Sequence, residues 1–259
     1  MVQRELSNNM SKIGINDNGY ALFFDLDGTL LSHDQKIDED VRAQIKRVKD
    51  RGNLIFINTG RSKAHLPKGI AKDPLFDGLI CGSAYIEYDS KVLMNLTLSS
   101  EAKAQVLDFA DKTEIPVLFE GVDKDYFYLF EKNSKNYCIG VDISKEEFLS
   151  DKEEVTKMTF CKVITDVDTS EVTALRVIKF RTYGEGIIHG CDKAKAMKIL
   201  LDRIGVPFEK TVSFGDSEND IEMLKSSEIS VVMPHGAEKA KAEADLIMTI
   251  DAALKEIFE

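Results

Sequence analysis

YALFFDLDGTLL, residues Tyr20–Leu31, is the stretch on which the reading of the fold turns. Its first half is a short, unbroken apolar run that stops at Asp25. Alternation would mark a strand with one wet face, whereas a continuous run of this length marks a strand covered on both faces, as in a parallel sheet. LIFINTG (Leu54–Gly60) and TVSFGD (Thr211–Asp216) repeat the pattern, each ending in polar residues. Between the first two runs, Val41, Ile45 and Val48 recur at helical spacing within Asp38–Arg51, with Asp38 placed to cap the start and Gly52 to stop the end. Lys193–Ile204 reads as a further helix closed by Gly205 and Pro207. ISVVM (Ile229–Met233) and LIMT (Leu246–Thr249) read as two more strands around a helical pattern at Ala237–Ala244. Strand and helix alternate at both ends of the chain, which predicts an open α/β sheet.

The middle of the chain has another character. From Ser83 to Glu185, short strands (VLMNLTL, IPVLF, DYFYLF, ALRVIKF) mix with helical segments such as Ser100–Thr113. This stretch holds 13 of the 21 aromatic residues and a net charge of −7, from 13 basic and 20 acidic residues. The shift predicts a separate α+β module, residues 83–185, inserted into a core formed by residues 1–82 and 186–259. Residues 1–19 are polar and are expected to be a loosely held extension.

Length and charge narrow the function classes. A chain of 259 residues is near the upper limit for one hydrophobic core. A net charge of −11 repels a phosphate backbone and argues against general nucleic-acid binding. No apolar run is long enough to span a bilayer, and MVQRELSNNMSK has no segment of signal-peptide type. The expected address is therefore the cytoplasm. Cys81, Cys138, Cys161 and Cys191 lie far apart and form no CxxC pair, so they are read as buried free thiols. Nothing in the sequence points to an oligomer, and a monomer is the default.

The chemistry concentrates where the strands stop. Asp25 and Asp27, separated by Leu26 on a turn opened by Gly28, can both reach the crevice at the carboxyl end of the first strand. Carboxylates so close raise each other's pKa unless a cation intervenes, and a hard divalent ion such as Mg²⁺ meets that need. A second acidic cluster, Asp216, Asn219 and Asp220, follows another strand; if the two strands are neighbours, Asp25, Asp27 and Asp216 converge on one cation. Thr59 and Gly60, at the end of LIFI, offer a hydroxyl and backbone N–H groups to phosphate oxygens. Lys193 adds a point charge at a helix start.

DLDGTLL, NTGR, the helix-starting Lys193 and GDSEND, in this order, resemble the haloacid dehalogenase-like phosphatases. The later D-x-x-M-L (Asp220, Met223, Leu224) and MPHGAEKAKAEAD (Met233–Asp245) resemble its Cof-type, sugar-phosphatase branch. The resemblance runs from about Tyr20 onward, and the insert of roughly 100 residues between NTGR and Lys193 matches that branch's large α/β cap. It implies a Rossmann-like core with the cap as specificity domain. It also implies that Asp25 is the nucleophile that forms an aspartyl-phosphate and that Asp27 is the general acid and base. Mg²⁺ is then held by the Asp25 carboxylate, the Asp27 carbonyl and Asp216. Thr59, Gly60, Lys193 and Asn219 hold the phosphoryl oxygens, with Asp220 supporting.

The resemblance has departures. Relatives often carry Asn-Gly-Ala, Lys-Gly and Gly-Asn-Ala where this chain has Cys81-Gly82-Ser83-Ala84, Lys193-Ala194 and His235-Gly236-Ala237. None removes a catalytic group, but each bears on substrate preference. His33, His65, His189 and His235 lack metal-ligand spacing and are read as surface residues. The aromatics of DYFYLF are read as part of the insert's own core. The expected function is Mg²⁺-dependent hydrolysis of phosphate monoesters of small metabolites, sugar phosphates first and phosphorylated cofactors or their precursors next. One competing reading is a phosphotransferase of the phosphomannomutase type, which would need several cap arginines to grip a second phosphate; the insert has only Arg176 and Arg181. The other is a non-catalytic metabolite sensor, which the intact Asp25, Asp27, Lys193 and Asp216 speak against.

Overall fold

The computed structural model describes residues 19–130, 140–150 and 154–259. Its strands, in chain order, are β1 (Ala21–Phe24), β2 (Leu54–Thr59), β3 (Gly78–Cys81), β4 (Tyr85–Tyr88), β5 (Lys91–Asn95), β6 (Val117–Gly121), β7 (Asp125–Tyr128), β8 (Gly140–Asp142), β9 (Val155–Phe160), β10 (Arg176–Lys179), β11 (Gly184–Ile187), β12 (Thr211–Gly215), β13 (Ile229–Val232) and β14 (Leu246–Ile247). The described residues divide into two compact units: 19–59, 72–79 and 197–259 in the first, the rest in the second. Segment 60–71 goes with the second unit because Ala64 N–H donates to the Gly121 carbonyl at 3.2 Å and His65 pairs with Asp125 at 3.0 Å.

In the first unit β1 lies between β2 and β12, parallel to both, with Ala21 opposite Leu54 and Thr211. Every residue of β1 is buried, as the unbroken apolar run requires. Phe24 stacks on Phe214 with ring centroids 4.4 Å apart, and Phe23 on Phe56 at 5.1 Å. Burying each such ring stabilises the fold by about 1.5–3 kcal/mol. Strand order within the unit is β14-β13-β12-β1-β2-β3. The chain winds outward from β1 one way and from β12 the other, so the winding reverses between them. The carboxyl ends of strands flanking such a reversal frame the ligand crevice of an open α/β sheet.

The helix Glu39–Asp50 follows its sequence pattern. Asp38 Oδ1 accepts from Asp40 N–H at 2.9 Å, Ile45 and Val48 are buried, and Gly52 leaves the helix with φ +92°. The helix Lys193–Ile204 has the expected bounds. The expected helix at Ala237–Ala244 shrinks to Glu238–Lys241. Asp245 explains the loss: its carboxylate accepts from Ser230 N–H at 3.0 Å and Oγ at 2.9 Å, which draws the chain out of the helix toward β14.

The second unit contains a sheet ordered β10-β11-β9-β6-β7-β8, antiparallel except for β7 with β8. Register puts Val117, Phe119, Met158 and Phe160 on one face and Leu118, Glu120, Lys157 and Thr159 on the other. The first face meets the helix Ser100–Thr113, capped by Ser99, through Val106, Phe109 and Ala110. Phe119 packs on Phe148 at 4.3 Å and Phe109 on Phe160 at 5.2 Å. Tyr126 and Tyr128, from DYFYLF, enter this core. β9 and β11 were not among the expected strands.

Cys81 and Cys191 are buried free thiols and Cys161 is half-buried; Cys138 and residues 1–18 lie outside the described residues. Among the described residues no helix is long and apolar enough to cross a membrane.

Candidate active site

Asp25 leaves β1 at the winding reversal, 4% exposed, with its N–H donating to the Phe214 carbonyl at 3.0 Å. The chain then turns sharply: Leu30 and Leu31 N–H both donate to the Leu26 carbonyl, at 3.1 and 2.9 Å, and all three leucine side chains are buried. That anchored turn leaves Asp27 and Gly28 exposed at its tip. Gly28 has φ +78°, and a Cβ there would lie 2.4 Å from Asp216 Oδ2. Glycine is therefore required twice, for the left-handed backbone and for the close approach of the two acidic turns.

Asp216 leaves β12 beside it. Carboxylate oxygens of Asp25, Asp216 and Asp220 all lie within 4.8 Å of one another. Asp220, 0% exposed, commits Oδ2 to the N–H groups of Asp216 and Ser217, at 3.1 and 3.0 Å, and so holds the turn in shape. Asn219 is exposed, its Oδ1 2.7 Å from Ser217 Oγ. Three hard oxygen donors in so small a volume repel one another, and their chemistry fits a small divalent cation. The structure thus brings Asp220 into the group of close carboxylates, where the sequence expected only a supporting role. The Asp27 carboxylate is not in that group.

Thr59, 1% exposed, ends β2 next to β1. Asn58 before it is fully buried, with Nδ2 donating to Met223 Sδ at 3.2 Å. Gly60 and Lys193 belong to the second unit; Lys193 is buried at the first position of its helix.

Three features escaped the sequence reading. His235 is exposed but anchored, its Nε2 donating to the Gly28 carbonyl at 2.7 Å. Ala237 N–H donates to the Asp216 carbonyl at 2.7 Å, so the loop from Met233 to Ala237 supports both acidic turns. In the second unit His65 pairs with Asp125, and that contact holds its imidazole above the ordinary value of 6.5 against the opposing effect of burial. Short-range spacing carries no signal for any of these, because each partner is distant in sequence.

Residues 22–253 match the family described as haloacid dehalogenase-like hydrolase. Among curated proteins, 5-amino-6-(5-phospho-D-ribitylamino)uracil phosphatase YitU of Bacillus subtilis (strain 168) is 28% identical, the match covering 87% of this chain and 90% of that protein. The HMP-PP phosphatase of Klebsiella pneumoniae (strain 342) is 25% identical, with 88% of each chain covered. Among solved structures, the subclass IIB sugar phosphatase BT4131 superposes with a TM-score of 0.79 at 26% identity, over 92% of this chain and 96% of that one.

Proposed function

The chain belongs to the haloacid dehalogenase-like hydrolases, and from that premise we propose that it is a Mg²⁺-dependent phosphatase acting on phosphate monoesters of small metabolites through an aspartyl-phosphate on Asp25. The observation that carries this reading is the approach of the Asp25, Asp216 and Asp220 carboxylates to within 4.8 Å beside the turn bearing Asp27.

In the first step a carboxylate oxygen of Asp25 attacks phosphorus, and the bond from phosphorus to the leaving alcohol breaks. The carboxyl of Asp27 gives its proton to the departing oxygen. In the second step Asp27, now a carboxylate, takes a proton from water as that water attacks phosphorus. Asp25 is released and inorganic phosphate leaves. The carboxylates of Asp25 and Asp216 and the carbonyl of Asp27 would hold Mg²⁺, which would supply the positive charge that an anionic nucleophile needs in order to approach a phosphate. Thr59, Gly60, Lys193 and Asn219 bind the phosphoryl oxygens, and Asp220 keeps the Asp216 turn in register.

The core is proposed as residues 1–82 and 186–259 and the specificity cap as 83–185. For substrate, the BT4131 likeness supports sugar phosphates, and the two curated relatives support phosphorylated cofactor precursors such as a phosphoribitylaminouracil. A panel of several dozen phosphate monoesters, assayed for phosphate release with Mg²⁺ and with a chelator, tests the proposal. Mg²⁺-dependent release from a subset of the panel is expected; release that ignores the chelator, or none from any monoester, would overturn it.

A further inference from the structure

The second unit buries a lysine that this chemistry does not use. Lys157 sits in β9, inside its sheet, 3% exposed. Glu120 of β6 is its register partner, and Glu185 of β11 pairs with Thr159 two residues on, so all four share one face. The Lys157 ammonium lies 2.7 Å from Glu185 Oε1 and 3.7 Å from Glu120 Oε1, and it donates to the Gly60 carbonyl at 3.1 Å. Thr159 Oγ1 donates to Glu120 Oε1 at 2.6 Å, which ties the same carboxylate down. Burial opposes the charge on Lys157, but the two carboxylates outweigh it and hold the ammonium above the usual lysine range.

A buried ion pair is a poor route to stability, since well-packed apolar residues of similar volume often do as well. What an ammonium provides, and a methionine could not, is a donor for the Gly60 carbonyl. Gly60 directly follows Thr59. A peptide is planar, with its C=O and N–H on opposite edges. Fixing the Gly60 carbonyl therefore also fixes the direction of the Arg61 N–H and the course of the chain as it leaves Thr59.

We propose that Lys157 is a positioning residue for the phosphoryl-binding turn, acting through the Gly60 carbonyl rather than on the substrate. Glu120 and Glu185 keep the ammonium charged and aimed. The inference rests on the reading that Thr59 and Gly60 hold phosphoryl oxygens, and the experiment separates the two.

The probe is inorganic phosphate as a competitive inhibitor, measured on the full chain with the thermal midpoint of each variant. Lys157→Met removes the donor and leaves the buried Glu120 and the half-buried Glu185 without the cation between them, so it lowers the midpoint as well as phosphate affinity. Lys157→Met/Glu120→Gln removes the carboxylate charge that is buried and leaves Glu185 half-exposed to solvent, and its midpoint recovers. Its phosphate inhibition constant is expected to stay roughly tenfold or more above wild type, as misplacement of a binding group predicts. Return of that constant to wild type in the double variant would show that Lys157 only balances charge and would overturn the proposal. Should the single variant fail to fold, the double variant alone decides. Thr59→Ala checks the premise: if it leaves phosphate inhibition unchanged, the turn does not bind phosphate and the underlying reading fails. If Thr59→Ala weakens phosphate while the double variant does not, the positioning role alone fails.

Discussion

The two units handle acidic residues in opposite ways. At the strand ends of the first, Asp25, Asp216 and Asp220 gather like charges within 4.8 Å. On the sheet of the second, Glu120 and Glu185 are separated by Lys157, and Asp125 faces His65. Gathered carboxylates store repulsion that an added cation relieves, so they suit a site that must bind a metal and then a phosphate. Carboxylates matched to cations from the same chain have nothing left to recruit, and what they do is hold backbone in place. The first arrangement predicts large losses of activity on neutral substitution, the second smaller losses that depend on geometry and pH.

The sharpest break in the comparison is within the first motif. Asp25→Asn removes the attacking carboxylate, and turnover should fall on the order of 10⁴-fold or more with no phosphate on the protein. Asp27→Asn loses general acid–base help, a factor of about 10²–10⁴. With an aryl phosphate, a good leaving group, the first transfer should still proceed and phosphate should accumulate on Asp25. Mass spectrometry after brief mixing reads both. Phosphate on Asp25→Asn, or on any other residue of Asp27→Asn, would remove Asp25 as nucleophile.

Next in size is the metal. Asp216→Asn takes one negative charge from the gathered group, so half-maximal activity should need at least about tenfold more Mg²⁺, while far-UV circular dichroism stays as in wild type. An unchanged Mg²⁺ titration would exclude Asp216 as a ligand.

These two experiments address the part of the molecule that was legible in the sequence, for a physical reason. A strand buried on both faces must be continuously apolar, and a site at its end must then interrupt it with polar residues, so Tyr20–Asp25 and Thr211–Asp216 state both fold and site in consecutive letters. The second unit spreads its information across strands. VTKMTF of β9 reads as half polar because Lys157, which is buried, owes its place to Glu120 and Glu185, respectively 37 positions before and 28 positions after it. GEGI of β11 has neither aromatic nor β-branched residues until its last position, so no strand signal precedes Ile187. Asp220 shows a related limit: spacing put it near Asp216, but only the folded turn brings its carboxylate close to that of Asp25.

Asp220 also tests how far gathered charge and local structure share a residue. Asp220→Ala leaves the buried side of the Asp216 and Ser217 N–H groups without their acceptor, a cost of about 1–3 kcal/mol. Urea denaturation without metal should show that loss, and Mg²⁺ affinity should fall with it. Wild-type values for both would mean that Asp220 neither shapes the turn nor contributes to the cation site.

The smallest effect belongs to the matched charges. Asp125, 0% exposed, takes His65 Nδ1 on one oxygen at 3.0 Å and the Gly121 N–H on the other at 3.0 Å. The Asp125 contact raises the His65 pKa, burial opposes it, Glu120 adds to the rise and Arg61 works against it. A histidine with a raised folded-state pKa binds its proton more tightly folded than unfolded, so protonation favours the folded state. Its contribution is fully present below the ordinary value of 6.5 and is lost as pH climbs through the raised one. His65→Gln should therefore cost most stability at pH 5.5 and progressively less toward pH 9, with the side chain's partial exposure keeping the largest difference under about 1 kcal/mol. Urea denaturation of both proteins across that range gives the curve. A cost that grew with pH would mean that neutral His65 is the stabilising form, and that the second unit does not match this acid with a cation.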